Sequence, residues 1–185
     1  MAEIKVVALV GSLRAASINR KIAELAVEVA PDDVAITVFE GLADLPFYNE
    51  EIDDVMNTDA PPLASVDALR AAAGEADAAL VVTPEYNGSI PAVVKNAIDW
   101  LSRPFGNSAL KGKPLAVVGG SFGQYGGVWA HDETRKSFGI AGARVVDTIK
   151  LSVPFGTLAG KAPAEHAELV ANVRDVVGKL AAEVG

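Results

Sequence analysis

Three stretches of this chain carry residue types suited to holding a ligand. The first is Gly11-Ser12-Leu13-Arg14-Ala15-Ala16-Ser17-Ile18-Asn19. It ends where helical spacing begins, and the first-turn amides of a helix lack internal partners and face a dipole that favours an anion. Ser12, Ser17 and Asn19 add hydroxyl and amide donors, and Arg14 adds a fork able to grip a phosphate with two hydrogen bonds. That set is a cradle for a phosphomonoester. The second is Pro84-Glu85-Tyr86-Asn87-Gly88-Ser89-Ile90-Pro91, which joins a rigid proline, a tyrosine ring and an Asn-Gly turn. It makes a ledge for something flat with polar edges, held by the Tyr86 face and the backbone amides. The third, Gly119–Gly127, has five glycines in nine residues together with Ser121, Phe122 and Tyr125. Glycine there permits close backbone approach to a ligand.

Each stretch also has a plainer reading. Ser17 suits a helix N-cap, Gly-Ser turns occur without ligands, and Arg14 could simply be solvated. Asn87-Gly88 is a turn dipeptide by itself, with Ser89 as a cap and Pro91 in a first helical turn. That reading leaves Glu85 and Tyr86 unexplained. Flexibility accounts for the glycines of the third stretch as fairly as ligand contact does.

The surrounding pattern says which elements must position these loops. Ile4–Val10 is a short apolar, β-branched run, and Ile18, Ile22, Leu25, Ala26 and Val29 mark one helical face behind it. Val34–Phe39 reads as a second strand, and 41–62 as a long irregular stretch of the kind that is functional or meets a partner chain. Leu63–Ala76 reads as a helix, Ala78–Thr83 as a strand, Ala92–Leu101 as a helix and Pro114–Val118 as a strand. A helix around Val128–Phe138, a short strand around Arg144–Leu151 and a helix over Pro163–Val184 complete the chain. Alternating strands and helices argue for an α/β fold: a doubly wound, five-stranded parallel sheet of order 2-1-3-4-5 with helices on both faces. Its ligand crevice lies above the carboxyl ends of strands one and three, where the order reverses. The first two stretches leave those ends.

Composition narrows the chemistry. The 185 residues suit one domain spanning 1–185, and 50% hydrophobic with 22% charged residues is an ordinary globular balance. A net charge of −8 argues against a nucleic-acid partner. No cysteine is present, which removes disulfides, thiolate metal sites and thiol nucleophiles. No stretch approaches the roughly 20 apolar residues of a membrane helix, and the N-terminal pattern is not that of a signal peptide, so the expectation is a cytoplasmic protein. Gly-Lys-Ser/Thr is absent, and Gly-x-Gly-x-x-Gly does not follow the first strand, which disfavours triphosphate and dinucleotide loops. His131 and His166 read as surface helix residues. Asp132-Glu133 and the acids of Glu50–Asp59 read as solvated, with no metal-ligand spacing, and no metal site is expected.

Taken together, four ordered motifs resemble one family. Gly11-Ser-Leu-Arg-x-x-Ser-x-Asn19, Leu45-Pro-Phe-Tyr-Asn49, Pro84-Glu-Tyr-Asn-Gly-Ser89 with Pro91 and Lys95-Asn-Ala-Ile-Asp-Trp100, and Gly119-Gly120-Ser121 look like the NADPH-dependent FMN reductases. These flavodoxin-like enzymes include quinone, azo-dye and chromate reductases, and the resemblance spans Ile4 to about Leu151. It implies bound FMN, NADPH or NADH as co-substrate, a small-molecule electron acceptor and a homodimer or homotetramer with the flavin near a subunit interface. By the same resemblance, Ser12, Arg14, Ser17 and Asn19 would hold the FMN phosphate, with Ile18 a further cofactor-binding residue of that loop. Pro84, Glu85, Tyr86, Asn87 and Gly88 line the isoalloxazine, and Ser121 approaches the ribityl chain or ring edge. No side chain is expected to act as acid, base or nucleophile. The competing expectation is a flavodoxin-type electron carrier without nicotinamide-dependent activity, against which Arg14 and the Pro84–Ser89 motif both speak.

Overall fold

Runs of β-branched and small apolar residues become the interior strands of the computed structural model, which describes residues 3–185. The strands are β1 (Ile4–Val10), β2 (Val34–Phe39), β3 (Ala78–Val82), β4 (Pro114–Ser121) and β5 (Arg144–Pro154). All pair in parallel, in the order β2-β1-β3-β4-β5. Every residue of β3 and β4 is buried, as expected of strands covered on both faces.

The two-residue repeat of a strand divides the core into two layers. Val6, Ala8 and Val10 of β1 face α1 (Ile18–Glu28) and α5 (Ala167–Ala182). Val7 and Leu9 face α2 (Ala64–Glu75), α3 (Ala92–Leu101) and Phe138 of α4 (Val128–Ile140). The helices therefore flank the sheet on both sides. The chain runs outward from β1 to β2, then crosses back to β3, so the loops after β1 and β3 open side by side.

Several boundaries differ from the sequence reading. β4 continues through Gly119 and Gly120 to Ser121, because β5 reaches Pro154 and pairs with it as far as Ser121↔Pro154. The last strand is thus eleven residues long rather than short, with a register irregularity opposite Leu115–Val117. The final helix starts at Ala167, after a separate 3-10 turn over Pro163–Glu165. Half-buried His166 is its N-cap and accepts a hydrogen bond from Leu169 N at 3.3 Å, so it is not a free surface residue.

The long irregular stretch contains two 3-10 turns, Gly41–Asp44 and Glu50–Ile52, and is fastened at two points. Asn96 of α3 accepts from Tyr48 N (2.9 Å) and donates to the Pro46 carbonyl (2.9 Å), which also receives the Trp100 indole N–H (2.8 Å). Two of the four family-like motifs therefore meet each other. Asp53 is fully buried, with both carboxylate oxygens 2.9 Å from Arg70 of α2, whose guanidinium lies over the Trp100 ring. The expectation that the acids of this stretch are solvated fails at Asp53, because a cation from α2 compensates its burial.

Candidate functional site

The first loop opens the crevice at the carboxyl end of β1. Ser17 is the N-cap of α1 and accepts from Arg20 N at 3.3 Å, while its own N–H donates to the Arg14 carbonyl at 3.0 Å. This curls residues 14–17 around the helix N-terminus and its anion-favouring amides. Ser12 is buried and Arg14 exposed, and neither side chain has a hydrogen bond to another of the described residues. Both line the crevice beside Ser17 and half-buried Ile18. Asn19 also lines it but is otherwise engaged: its amide donates to the Gly120 carbonyl (2.9 Å) and accepts from Gly120 N (2.8 Å). It joins the first loop to the third.

The second loop is a tight reversal. Tyr86 and Ser89 exchange backbone hydrogen bonds of 3.2 and 3.1 Å around Asn87 (φ 54°) and Gly88 (φ 73°). Two successive positive φ values are what Asn-Gly supplies in a two-residue turn. Pro84, Glu85 and Tyr86 line the crevice, whereas Asn87 and Gly88 form the turn beyond it. Tyr86 stays 47% exposed at the mouth. Glu85, which the turn alone left unexplained, accepts from Ala130 N at 3.2 Å and so caps the first turn of α4. Ser89 does not cap α3: its hydroxyl donates to Glu133 at 2.7 Å, and the Ile90 N–H reaches the same oxygen at 3.2 Å. Glu133 stays exposed, as expected, and in addition clasps the ledge. Asp132, which is exposed, pairs with Arg135 at 2.8 Å.

The third loop closes the far wall with Gly120, Ser121 and Phe122, while Phe155 from beyond β5 lines the same side. Gly119 sits at φ 145°, and a Cβ there would lie 2.2 Å from the Thr83 carbonyl oxygen. The residue must be glycine for β4 to pass the root of the ledge. Ser121 accepts from Gly123 N at 3.2 Å.

His131 corrects the sequence reading most sharply. It is fully buried on α4, with Nε2 2.9 Å from the Thr83 carbonyl and Nδ1 2.7 Å from the Ser152 hydroxyl. Periodicity could not show this, because the burying surfaces belong to β3 and β5. Burial holds its pKa below the usual 6.5; the Thr83 carbonyl opposes the shift and the positive charge of Arg135 adds to it.

The crevice encloses about 130 Å³, less than a typical cofactor pocket. That space is too small for a fused-ring group, which would lie out on the open ledge. A groove of about 430 Å³ between β2 and α2 is larger, but its floor is apolar (Val7, Ala72 and Ala76) and it lacks a cluster of anion donors. The chemistry therefore points to the smaller crevice.

The family model described as NADPH-dependent FMN reductase matches residues 4–157. A quinone reductase of Pseudomonas putida is 47% identical over 132 residues, 71% of this chain and 68% of that protein. A 2-hydroxy-1,4-benzoquinone reductase of a Burkholderia species is 40% identical over 132 residues, with the same coverage of each. Among solved structures, the flavoenzyme NAD(P)H:acceptor oxidoreductase FerB of Paracoccus denitrificans superposes with a TM-score of 0.84. It is 31% identical, with 98% of this chain and 97% of FerB covered.

Proposed function

The chain belongs to the NADPH-dependent FMN reductase family, and we propose that its crevice seats FMN with the phosphate on the first loop and the isoalloxazine on the ledge. The chain is an NAD(P)H-dependent, FMN-containing oxidoreductase acting on quinone-class acceptors. The observation that carries the seating is the pairing of unpartnered donors, Ser12 and Arg14, with an open aromatic ledge across one crevice. These residues suit FMN: a helix N-terminus, a free guanidinium and a hydroxyl for the phosphate, and a proline-tyrosine surface for a flat ring.

When bound, FMN supplies the hydride chemistry, taking two electrons from a nicotinamide and passing them to the acceptor. The chain's own contribution is positional. Ser12, Arg14, Ser17 and the α1 amides fix the phosphate end; Ile18 walls the cradle, and Asn19 sets its distance from the third loop. Pro84, Glu85 and Tyr86 carry the ring, Asn87 and Gly88 turn the chain beneath its edge, and Ser121 meets the polar chain. No side chain acts as acid, base or nucleophile in this reading. In this reading residues 3–185 form one FMN-binding domain.

The open ledge implies a cover. Tyr86, Phe122, Tyr125 and Trp129 are all exposed around it, and such a patch marks an interaction surface. The cover is a second copy of the chain, in a homodimer or homotetramer. Among the described residues, no helix is long and apolar enough to cross a membrane. The enzyme works in the cytoplasm, where its nicotinamide substrate is found.

The test is anaerobic mixing of the FMN-loaded protein with NADH or NADPH. Bleaching of the oxidised-flavin absorption, and its return on adding a quinone, is expected. Flavin that remains oxidised under excess nicotinamide would leave only an electron-carrier role and overturn the reductase reading.

A further inference from the structure

We infer that Glu133 is a positioning residue for the flavin ring, fixing the far limb of the ledge to α4 and, through that limb, the tyrosine beneath the ring. The inference rests on the reading that Pro84–Tyr86 carry the isoalloxazine.

Pro84 is buried at the root of the ledge, but Tyr86, Asn87 and Gly88 at its tip are exposed. The tip therefore takes its shape from hydrogen bonds rather than from the core. Tyr86 N donates to the Ser89 carbonyl at 3.2 Å, and Ser89 N donates to the Tyr86 carbonyl at 3.1 Å. These two bonds fix Tyr86 relative to Ser89. They do not fix the pair relative to the rest of the molecule.

That second task falls to α4. One carboxylate oxygen of Glu133, Oε2, accepts both the Ser89 hydroxyl at 2.7 Å and the Ile90 N–H at 3.2 Å. On the near limb, Glu85 accepts from Ala130 N at 3.2 Å. Ala130 and Glu133 are three positions apart and so lie on one face of the helix. Tyr86 stands between the two clasps. A single clasp would leave it a pivot, and the second sets its orientation. Neither Glu133 nor Ser89 lines the crevice, so any effect on a ligand passes through the ledge.

Two consequences follow from the chemistry of the clasp. Both of its bonds end on one oxygen, and an amide carbonyl offers an acceptor with two lone pairs at the same reach. Glutamine should then replace Glu133, whereas alanine should not. Without the clasp the tip is in its binding position for only part of the time, and apparent affinity falls by that fraction. FMN and riboflavin share the ring and differ in the phosphate. Both should weaken by the same factor, leaving the ratio of their affinities unchanged.

The experiment is titration of FMN and of riboflavin at neutral pH, followed by quenching of flavin fluorescence. It compares wild type, Glu133→Ala, Glu133→Gln, Ser89→Ala and the Glu133→Ala/Ser89→Ala pair, with urea unfolding of each flavin-free protein. Glu133→Ala is expected to bind both flavins about tenfold more weakly, the weight of two modest hydrogen bonds. Glu133→Gln is expected to stay within about twofold of wild type for both. Ser89→Ala removes one of the two bonds and should lose about threefold. Added to Glu133→Ala it should cost nothing further, because the hydroxyl has already lost its acceptor. The urea midpoints should match wild type, since Glu133 is exposed and its loss opens no core.

Wild-type affinity in Glu133→Ala, a loss confined to FMN, or a glutamine variant as weak as the alanine one would each overturn the inference. So would an independent threefold loss from Ser89→Ala in the pair, or a urea midpoint that falls in step with affinity. A wild-type protein that binds neither flavin would overturn the FMN reading and the inference with it. Failure in the variants alone would leave the FMN reading standing.

Discussion

Arg14 and Asn19 stand five residues apart in one motif and do different work. Asn19 is buried and forms two hydrogen bonds to Gly120, so its contribution to a ligand passes through the position of the third loop. Arg14 is exposed, and its guanidinium has no partner among the described residues. Its fork is available to a phosphate, and a charge-assisted bond of that kind contributes about 1.5–3 kcal/mol. Arg14→Ala should therefore weaken FMN by roughly ten- to a hundredfold while leaving riboflavin, which lacks the phosphate, nearly unchanged. Calorimetric titration with both flavins checks this, and equal losses would mean that Arg14 shapes the loop instead. Asp53 acts only on stability. With its carboxylate buried against Arg70, Asp53→Asn leaves that cation only the longer contact to Asp54 (3.5 Å) and should cost about 3 kcal/mol in urea unfolding.

Among the elements, α4 is the support of the ledge. Its first turn takes Glu85 at Ala130 N, its second presents Glu133 to Ser89 and Ile90, and His131 between them reaches Thr83. β4 holds the other side, and there Gly119→Ala is the sharpest probe. A methyl 2.2 Å from the Thr83 carbonyl, at φ 145°, forces the strand and the ledge apart. The variant should lose FMN affinity by tenfold or more and unfold at lower urea than wild type; an unchanged midpoint would mean that the two chains part without cost. The strand order was legible in the sequence because buried parallel strands read as plain apolar runs, and the loops that line the crevice were legible because they leave those runs. The supports were not. Glu85, Glu133, His131 and Asp53 look like ordinary polar residues on their own segments. Each takes its role from a partner 17 to 48 positions away, and local spacing holds no record of such partners. The long β5 was missed for a related reason: its last residues are fixed by pairing with Gly119–Ser121 and not by their own apolarity.

Across the whole molecule, a charge of −8 and an exposed aromatic patch pull in opposite directions. Trp129 is 56% exposed, packs against Tyr125 at 5.5 Å between ring centroids and lies next to Gly88 at the turn of the ledge. Placed at the centre of a contact between two copies, such a residue contributes about 2 kcal/mol or more. Two chains of charge −8 repel one another, however, and salt screens that repulsion over a Debye length of about 10 Å at 0.1 M. Association through the patch should therefore tighten as ionic strength rises, the reverse of an assembly held by ion pairs. Trp129→Glu removes the aromatic anchor and adds a like charge, and it should raise the dimer dissociation constant by about thirtyfold or more. Because the ledge is open in a single chain, FMN affinity should fall together with the molar mass, to a degree set by how much of the ring the second copy covers. Light scattering across a salt series, run with an FMN titration on the same samples, measures both quantities. A Trp129→Glu protein of unchanged mass would place the interface elsewhere, and one that became monomeric yet bound FMN as before would show that the ledge holds the ring without a cover.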